Sequence, residues 1–277
     1  MSLQPVLFVS HGAPDLAIAD APASRYLRQL GSRLARPSAI LVVSAHHEAD
    51  APELTGAARL DTIHDFGGFD SRLAAMSYPA PGAPELAEAI AGKLREIGLT
   101  ATIHPTRGLD HGAWVPLSLM FPNADVPVLS LSISPDRDAA WHARLGSTLA
   151  PLRDEGVLII GSGSATHDLR AVFRERHPTP PAWVTDFADW LAAQMEAGDR
   201  EAILAAVDRG PHGHRNHPTP DHILPLFAAL GAAGPDAGRV LHRSIDRAVL
   251  AMDVYGWGDA GVLARLVEQR TVAPLAA

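Results

Sequence analysis

The chain of 277 residues carries 14 histidines and no cysteine. Imidazole can ligate a metal, and it can accept or donate a proton near neutral pH. The missing thiols exclude disulfide scaffolds, thiolate zinc sites, iron–sulfur clusters and cysteine nucleophiles. A metal bound here is bound through nitrogen and oxygen. Five histidines stand just beyond strand-like apolar runs, or in a glycine-rich turn after one. They are His11 after VLFVS, His46 and His47 after ILVVSA, His104 after ATI, and His167 after VLIIGSGSAT. Open α/β sheets bind ligands outside the carboxyl ends of their strands. Side chains set there converge in space whatever their separation in sequence.

Each position carries a local argument. His11 lies in Ser10-His11-Gly12-Ala13-Pro14, where Gly12 permits a tight turn and Pro14 cannot extend a ladder, so the side chain can be aimed into a crevice. His46 and His47 are adjacent and point to opposite faces of a strand. His46 is therefore the candidate ligand, and His47 either supports it or faces solvent. His222 follows Pro218-Thr219-Pro220-Asp221, a helix start with the acid in its first turn. His212, His214 and His217 make a dense tract before it, which looks like a metal tract by density alone, although density is weak evidence and a His-rich loop is often only a loop. His64 lies in Thr62-Ile63-His64-Asp65-Phe66-Gly67-Gly68-Phe69, whose glycine pair between aromatics suits a loop folding over a planar ligand. His111 lies between flexible glycines in Gly108-Leu109-Asp110-His111-Gly112-Ala113-Trp114. A capped turn or a structural Asp–His pair is the ordinary alternative for these two.

The elements that must hold these residues alternate. Apolar runs at Val6–Ser10, Ala39–Ser44, Ala101–His104, Val126–Ile133 and Val157–Ile160 read as strands covered on both faces. Helical patterns lie at Ala23–Ala35, Pro84–Ile97, Asp138–Arg153, Ala182–Ala197, Arg200–Val207, Asp221–Leu230 and Asp259–Arg270. This order predicts an α/β fold, one domain over residues 1–277, with a central, mostly parallel or mixed sheet flanked by helices.

Composition narrows the function. The chain is 47% hydrophobic and 19% charged, an ordinary globular balance. A net charge of −8 argues against a general nucleic-acid binder. No apolar run reaches the roughly 18–20 residues of a membrane span. The N-terminal stretch lacks a basic region before its apolar run, so a cytoplasmic protein is expected. Gly161-Ser162-Gly163-Ser164-Ala165-Thr166 lacks the third glycine of a dinucleotide fingerprint and the Gly-Lys-Ser/Thr of a P-loop. Neither a G-x-S-x-G elbow nor an H-E-x-x-H motif is present.

Taken jointly, Ser-His-Gly-Ala-Pro (10–14), Val-Val-Ser-Ala-His (42–46), Thr-Ile-His-Asp-Phe-Gly-Gly-Phe (62–69), Tyr-Pro-Ala-Pro-Gly (78–82), Leu-Asp-His-Gly-Ala-Trp (109–114) and Pro-Thr-Pro-Asp-His-Ile-Leu-Pro (218–225) resemble the extradiol ring-cleavage dioxygenases of the LigB superfamily, closest to the 4,5-DOPA dioxygenase branch. The resemblance implies a mononuclear non-haem metal, Fe(II) for catalysis with Zn(II) as an occupant on isolation. It implies a DOPA-like catechol and O2 as substrates. His11 and His46 match the family's N-terminal metal histidines, and His167 and His222 match two later histidines of the metal centre. His111 matches a histidine that handles protons or binds substrate. The third ligand stays open between His222, Asp221 and His167. The chemistry needs a base and an acid, roles that fall to His111 and His167. Phe66, Phe69 and Trp114 are candidates to flank the ring, and His64 or a loop arginine to meet a substrate carboxylate. Asp168 stands where relatives commonly have Asn. The alternatives are a zinc-dependent hydrolase, which wants an acidic second-metal cluster, and a non-catalytic metal-binding module, which would not need His111 or His167.

Overall fold

The computed structural model describes residues 3–174 and 177–268. Ten strands form: β1 (Val6–Ser10), β2 (Ala39–Glu48), β3 (Glu53–Thr55), β4 (Thr102–His104), β5 (Val128–Ile133), β6 (Val157–Gly163), β7 (Gly238–His242), β8 (Ile245–Asp246), β9 (Leu250–Ala251) and β10 (Val254–Trp257). Eight of them make one sheet in the order β4-β3-β5-β2-β6-β1-β10-β7, and β8 and β9 pair separately. The central neighbours β5-β2-β6-β1 run parallel. The edge strands β10 and β7, and the β3–β5 pair, run antiparallel, so the sheet is mixed. All of β1, β5 and β6 is buried, as strands with helices on both faces must be.

Side chains alternate across the sheet into two cores. Phe8, Leu41, Leu129 and Ile159 pack on one face against the helices Pro84–Glu96, Ala139–Leu149, Ala182–Ala197 and Leu224–Ala233. Leu7, Val42, Val128 and Ile160 pack on the other against Pro22–Arg33, His111–Met120 and Ala260–Leu266.

Most expected elements form, with shifted ends. The expected helix Asp138–Arg153 is an α-helix, Ala139–Leu149, that tightens into a 3₁₀ turn at Ala150–Arg153. Arg200–Val207 is two short helices, Arg200–Leu204 and Ala206–Arg209. The last expected helix forms over Ala260–Leu266, and residues 269 and 270 of that expectation lie outside the described residues. The expected helix at 221–230 instead runs Leu224–Ala233, and all ten of its residues are buried. The helix His111–Met120, where none was expected, buries all but Ser118. A helix apolar all round leaves no 3.6-residue stripe to read. Its start is fixed by Asp110, whose carboxylate accepts the Ala113 N–H at 3.2 Å.

Several histidines outside the candidate set are structural. His142, on the helix Ala139–Leu149, is fully buried. Its Nδ1 donates to the Asp138 carbonyl at 2.9 Å, and its Nε2 accepts the Ser134 N–H at 3.2 Å. Both nitrogens are satisfied only by the neutral ring, and burial pushes its pKa down to about 4. His217 and His242 are buried too. The unfolded chain takes up protons on these rings below about pH 6.5, whereas the folded chain resists until about pH 4 for His142. Stability is therefore full above pH 6.5 and falls toward pH 4, by up to about 1.4 kcal/mol per pH unit per ring. The thermal midpoint is expected to drop across pH 7 to 4.5, and His142→Gln to flatten that slope. An unchanged slope in the variant would contradict the assignment.

Candidate metal centre

β1 ends at Ser10, and Gly12 at φ +65° turns the chain so that His11 points inward. β2 runs to Glu48, further than expected, but its pairing with β5 slips between Ser44 and Glu48. That irregularity carries His46. Such bulges re-aim side chains beside sites. His222 sits in the turn before the helix Leu224–Ala233, not within its first turn. It comes close to β6 because two glycines leave room there. A Cβ on Gly163 would stand 2.1 Å from the His222 carbonyl oxygen, and one on Gly161 2.2 Å from that of Pro225.

These three histidines converge. The His46 Nε2 lies 3.1 Å from His11 Nε2 and 3.2 Å from His222 Nε2. His11 and His222 are buried, and the His46 side chain is 24% exposed. Ser162 Oγ donates to the Gly112 carbonyl at 2.5 Å and so accepts from His11 Nδ1 at 3.0 Å. Asp221 accepts from His222 Nδ1. Both rings thus carry their proton on Nδ1, which turns the Nε2 lone pair inward. The His46 Nδ1 faces the Asp65 carboxylate at 3.8 Å. Burial, then the neighbouring histidines, holds His11 and His222 far below the ordinary imidazole range, and burial takes His46 to about 3. Neutral rings with convergent lone pairs form a nitrogen donor set suited to a divalent transition metal.

The remaining histidines arrange around this group. The His111 ring centre lies 3.9 Å from that of His46, the two planes tilted by 41°. Asp65 reaches it twice, through Oδ1 to the backbone N–H at 3.0 Å and through Oδ2, 2.9 Å from Nδ1. Partial burial would raise the Asp65 carboxyl, but the His111 contacts outweigh it and hold it low. His167 lies parallel on His222, ring centres 3.4 Å apart, and groups with Asp221 and His222 rather than with the three converging nitrogens. Asp168 caps the short helix Leu169–Arg174 by accepting from Arg170 and Ala171, so it holds that turn.

A cavity of about 470 Å³ opens onto His46, His111, His167 and His222. Phe66, Gly68 and Phe69 line it, as expected of the glycine-broken aromatic loop. Trp114 does not. It is fully buried behind Phe66, with Nε1 donating to the Ile63 carbonyl. His64 is held on the Met76 carbonyl at 3.1 Å and reaches the cavity only through its edge contact with Phe66. His47, on the other face of β2, is buried between Ser130 and Glu53 and is no surface residue. His104 caps its own turn through Nδ1 and stands apart from the site. His212 and His214 are exposed.

Sequence reasoning passed over Asp65 and Ser162. The signal for Asp65 was an acid beside His64 in the aromatic loop. For Ser162 it was a serine on a strand that is otherwise apolar.

A family model described as the catalytic LigB subunit of aromatic ring-opening dioxygenase matches residues 4–252. The chain belongs to the LigB family. It is 41% identical over 265 residues to a 4,5-DOPA dioxygenase extradiol of Beta vulgaris, covering 92% of this chain and 96% of that protein. It is 39% identical over 231 residues to one of Escherichia coli K12, covering 82% and 84%. The crystal structure of an uncharacterized Escherichia coli K12 protein, JW3007, superposes with a TM-score of 0.77 at 32% identity, over 92% of this chain and all of that one. As a LigB member the chain is an extradiol, aromatic ring-opening dioxygenase, and its mixed α/β architecture is that of its neighbour.

Gly163 tests how the LigB site is held. Gly163→Ala is expected to keep the circular dichroism of the parent while weakening Zn(II) binding at least tenfold in chelator competition, the usual scale for a support residue. Gly92→Ala, with open space around its Cβ, should change nothing. Unaltered Zn(II) affinity in Gly163→Ala would show that His222 is not a ligand placed by this close approach.

Proposed function

We propose that the whole chain works as one catalytic domain that opens the ring of a DOPA-like catechol with O2, using non-haem Fe(II) held by His11, His46 and His222. The convergence of the three Nε2 atoms, two with their tautomer set by Ser162 and Asp221, is the observation that carries this reading. His167 is placed beside the centre as a proton-handling residue, with Asp221 orienting His222. Zn(II) fits the same nitrogens and is the expected contaminant on isolation. Bound Fe(II) would relay an electron between the ring and O2, a reaction otherwise slowed by spin.

The chain's own groups do the rest. One must take a proton from a catechol hydroxyl, and one must return a proton as the ring opens. His111 suits the first: Asp65 lies against its Nδ1, which leaves Nε2 for the incoming proton and gives the resulting imidazolium a counter-charge. His167 lines the same cavity against His222, and burial keeps it neutral, with a pKa of about 4, so it would act as the acid only after taking up a proton released in the reaction. Phe66 and Phe69 cover the ring and keep water from it. The apolar residues Leu169, Val172 and Leu250 line the same space. Among the described residues no helix is long and apolar enough to cross a membrane, and we place the enzyme in the cytoplasm.

Anaerobic reconstitution with Fe(II), then addition of catechols and O2, is expected to give a yellow ring-fission product. Its absence with all of DOPA, caffeate, protocatechuate and catechol would refute the reading. Elemental analysis separates the roles. His11→Ala, His46→Ala and His222→Ala should lose metal, whereas His111→Ala should retain it and lose turnover by about 10²–10⁴-fold.

A further inference from the structure

The cavity has a charged end that the ring-opening chemistry does not use. Arg247 is the one Lys or Arg side chain among the described cavity-lining residues. It follows β8 in a turn closed by the Val249 N–H on the Asp246 carbonyl at 3.1 Å. Arg247 and Ala248 both adopt positive φ, +48° and +59°, although neither is glycine. L-residues adopt that region only under strain, and such strain gathers at ligand clamps. The turn delivers the guanidinium to the cavity, where Nη2 meets Asp15 Oδ2 at 2.5 Å and Nη1 meets Asp246 Oδ2 at 3.1 Å. Asp15 also lines the cavity. Its Oδ1 has no hydrogen-bond partner among the described residues. The other acid there, Asp70, is taken up by Arg72 and by the Arg72 backbone N–H.

Asp15 stands four residues after His11, so its Cα is within about 14 Å of that of the histidine. The chain folds into a 3₁₀ turn at Pro14–Ala17, which shortens the span further. One acid and one base, each about a third exposed and side by side, present both signs of charge to whatever enters. A lone carboxylate would meet Asp15 unfavourably, and a lone ammonium would meet Arg247. A group carrying both charges on one carbon matches the pair.

We propose that Asp15 and Arg247 are specificity residues that read the zwitterionic α-amino-acid head of the catechol, with Asp15 taking the ammonium and Arg247 the carboxylate. This rests on the DOPA-like catechol reading above and assigns the residues that would read the head group. Asp246 keeps the guanidinium aimed when Nη2 turns to the substrate.

Four probes separate the charges: L-DOPA with both, dopamine with the ammonium alone, dihydrocaffeate with the carboxylate alone, and 4-methylcatechol with neither. Dissociation constants are measured without O2 on the Fe(II)-loaded protein, and kcat/KM with O2. The parent is expected to favour L-DOPA over each single-charge probe by roughly tenfold, the scale of a part-exposed charged contact. Arg247→Gln should erase the preference over dopamine and leave that over dihydrocaffeate. Asp15→Asn should do the reverse. No preference in the parent, no binding of any probe, or an equal loss for all four probes in both variants would overturn the proposal, the last by showing a purely structural pair. Head-group preference in binding with no ring-opened product from any probe would keep this site and sink the dioxygenase reading.

Discussion

Three imidazole nitrogens, from His11, His46 and His222, face one another at 3.1 and 3.2 Å across a space that is largely closed to water. Two of them point lone pairs at the centre, an arrangement that gains nothing until a proton or a cation lies between them. Burial makes the proton expensive, since charging a ring there would forfeit its hydration and set it against four other histidines. A metal ion meets the same nitrogens with the directional bonds that a proton cannot share among three. Much of the fold can be read as what holds this group neutral, dry and aimed.

The means are small and repeated. Each of the central parallel strands carries a buried serine, and those of β1, β2 and β6 each tie down one piece of the site, whereas that of β5 holds the structural His47. Ser10 accepts from Ala165 in the β6 loop, Ser44 donates to Asp110 at 2.6 Å, Ser130 holds His47, and Ser162 orients His11. Asp110 in turn caps the helix that begins with His111 and meets Arg107, which also reaches the His46 carbonyl. A hydroxyl is the smallest group that can both donate and accept inside a sheet edge. It gives up little of the core volume that Val or Ile would fill. The result is a hydrogen-bonded net behind the rings, with apolar strand interiors behind the net.

How much of this could be read beforehand follows from the kind of signal each part leaves. The four central parallel strands were legible because a strand buried on both faces is a short unbroken apolar run, and the half-buried edge strand β4 was read from its short run as well. His11, His46 and His222 were legible because strand ends and helix starts are marked by Gly, Pro and Asp. The helix His111–Met120 was not, since burial on all sides erases the amphipathic stripe. The antiparallel strands β7 and β10 were missed because Gly238, Arg239 and His242 in the one and Gly256 in the other interrupt the apolar run. His142, His217 and His242 misled in the opposite direction. A histidine in a polar-looking stretch reads as exposed, and only the fold shows His142 and His242 with both nitrogens matched and His217 buried with Nε2 on the Ala165 carbonyl. Trp114 follows His111 by three residues and so stands near the same helix face, but its indole is fully buried behind Phe66, tied to the Ile63 carbonyl, and does not reach the cavity.

His46 and His47 show the same distinction within one strand. They are neighbours, both lowered to about 3 by burial, and chemically the same. His47 has Ser130 on one nitrogen and Glu53 on the other, so neither lone pair nor proton is left to offer. His46 has only other histidines at its Nε2 and a carboxylate beyond hydrogen-bond reach at its Nδ1. A depressed pKa therefore does not separate a working imidazole from a structural one; both are simply dry. Convergence of unmatched nitrogens does, because buried rings that face one another are costly unless something else binds between them, whereas His217 leaves its Nδ1 unmatched but joins no such group among the described residues. By that criterion the working set is the group whose nitrogens face each other, and the cost of holding it empty is a reason for the site to take up metal.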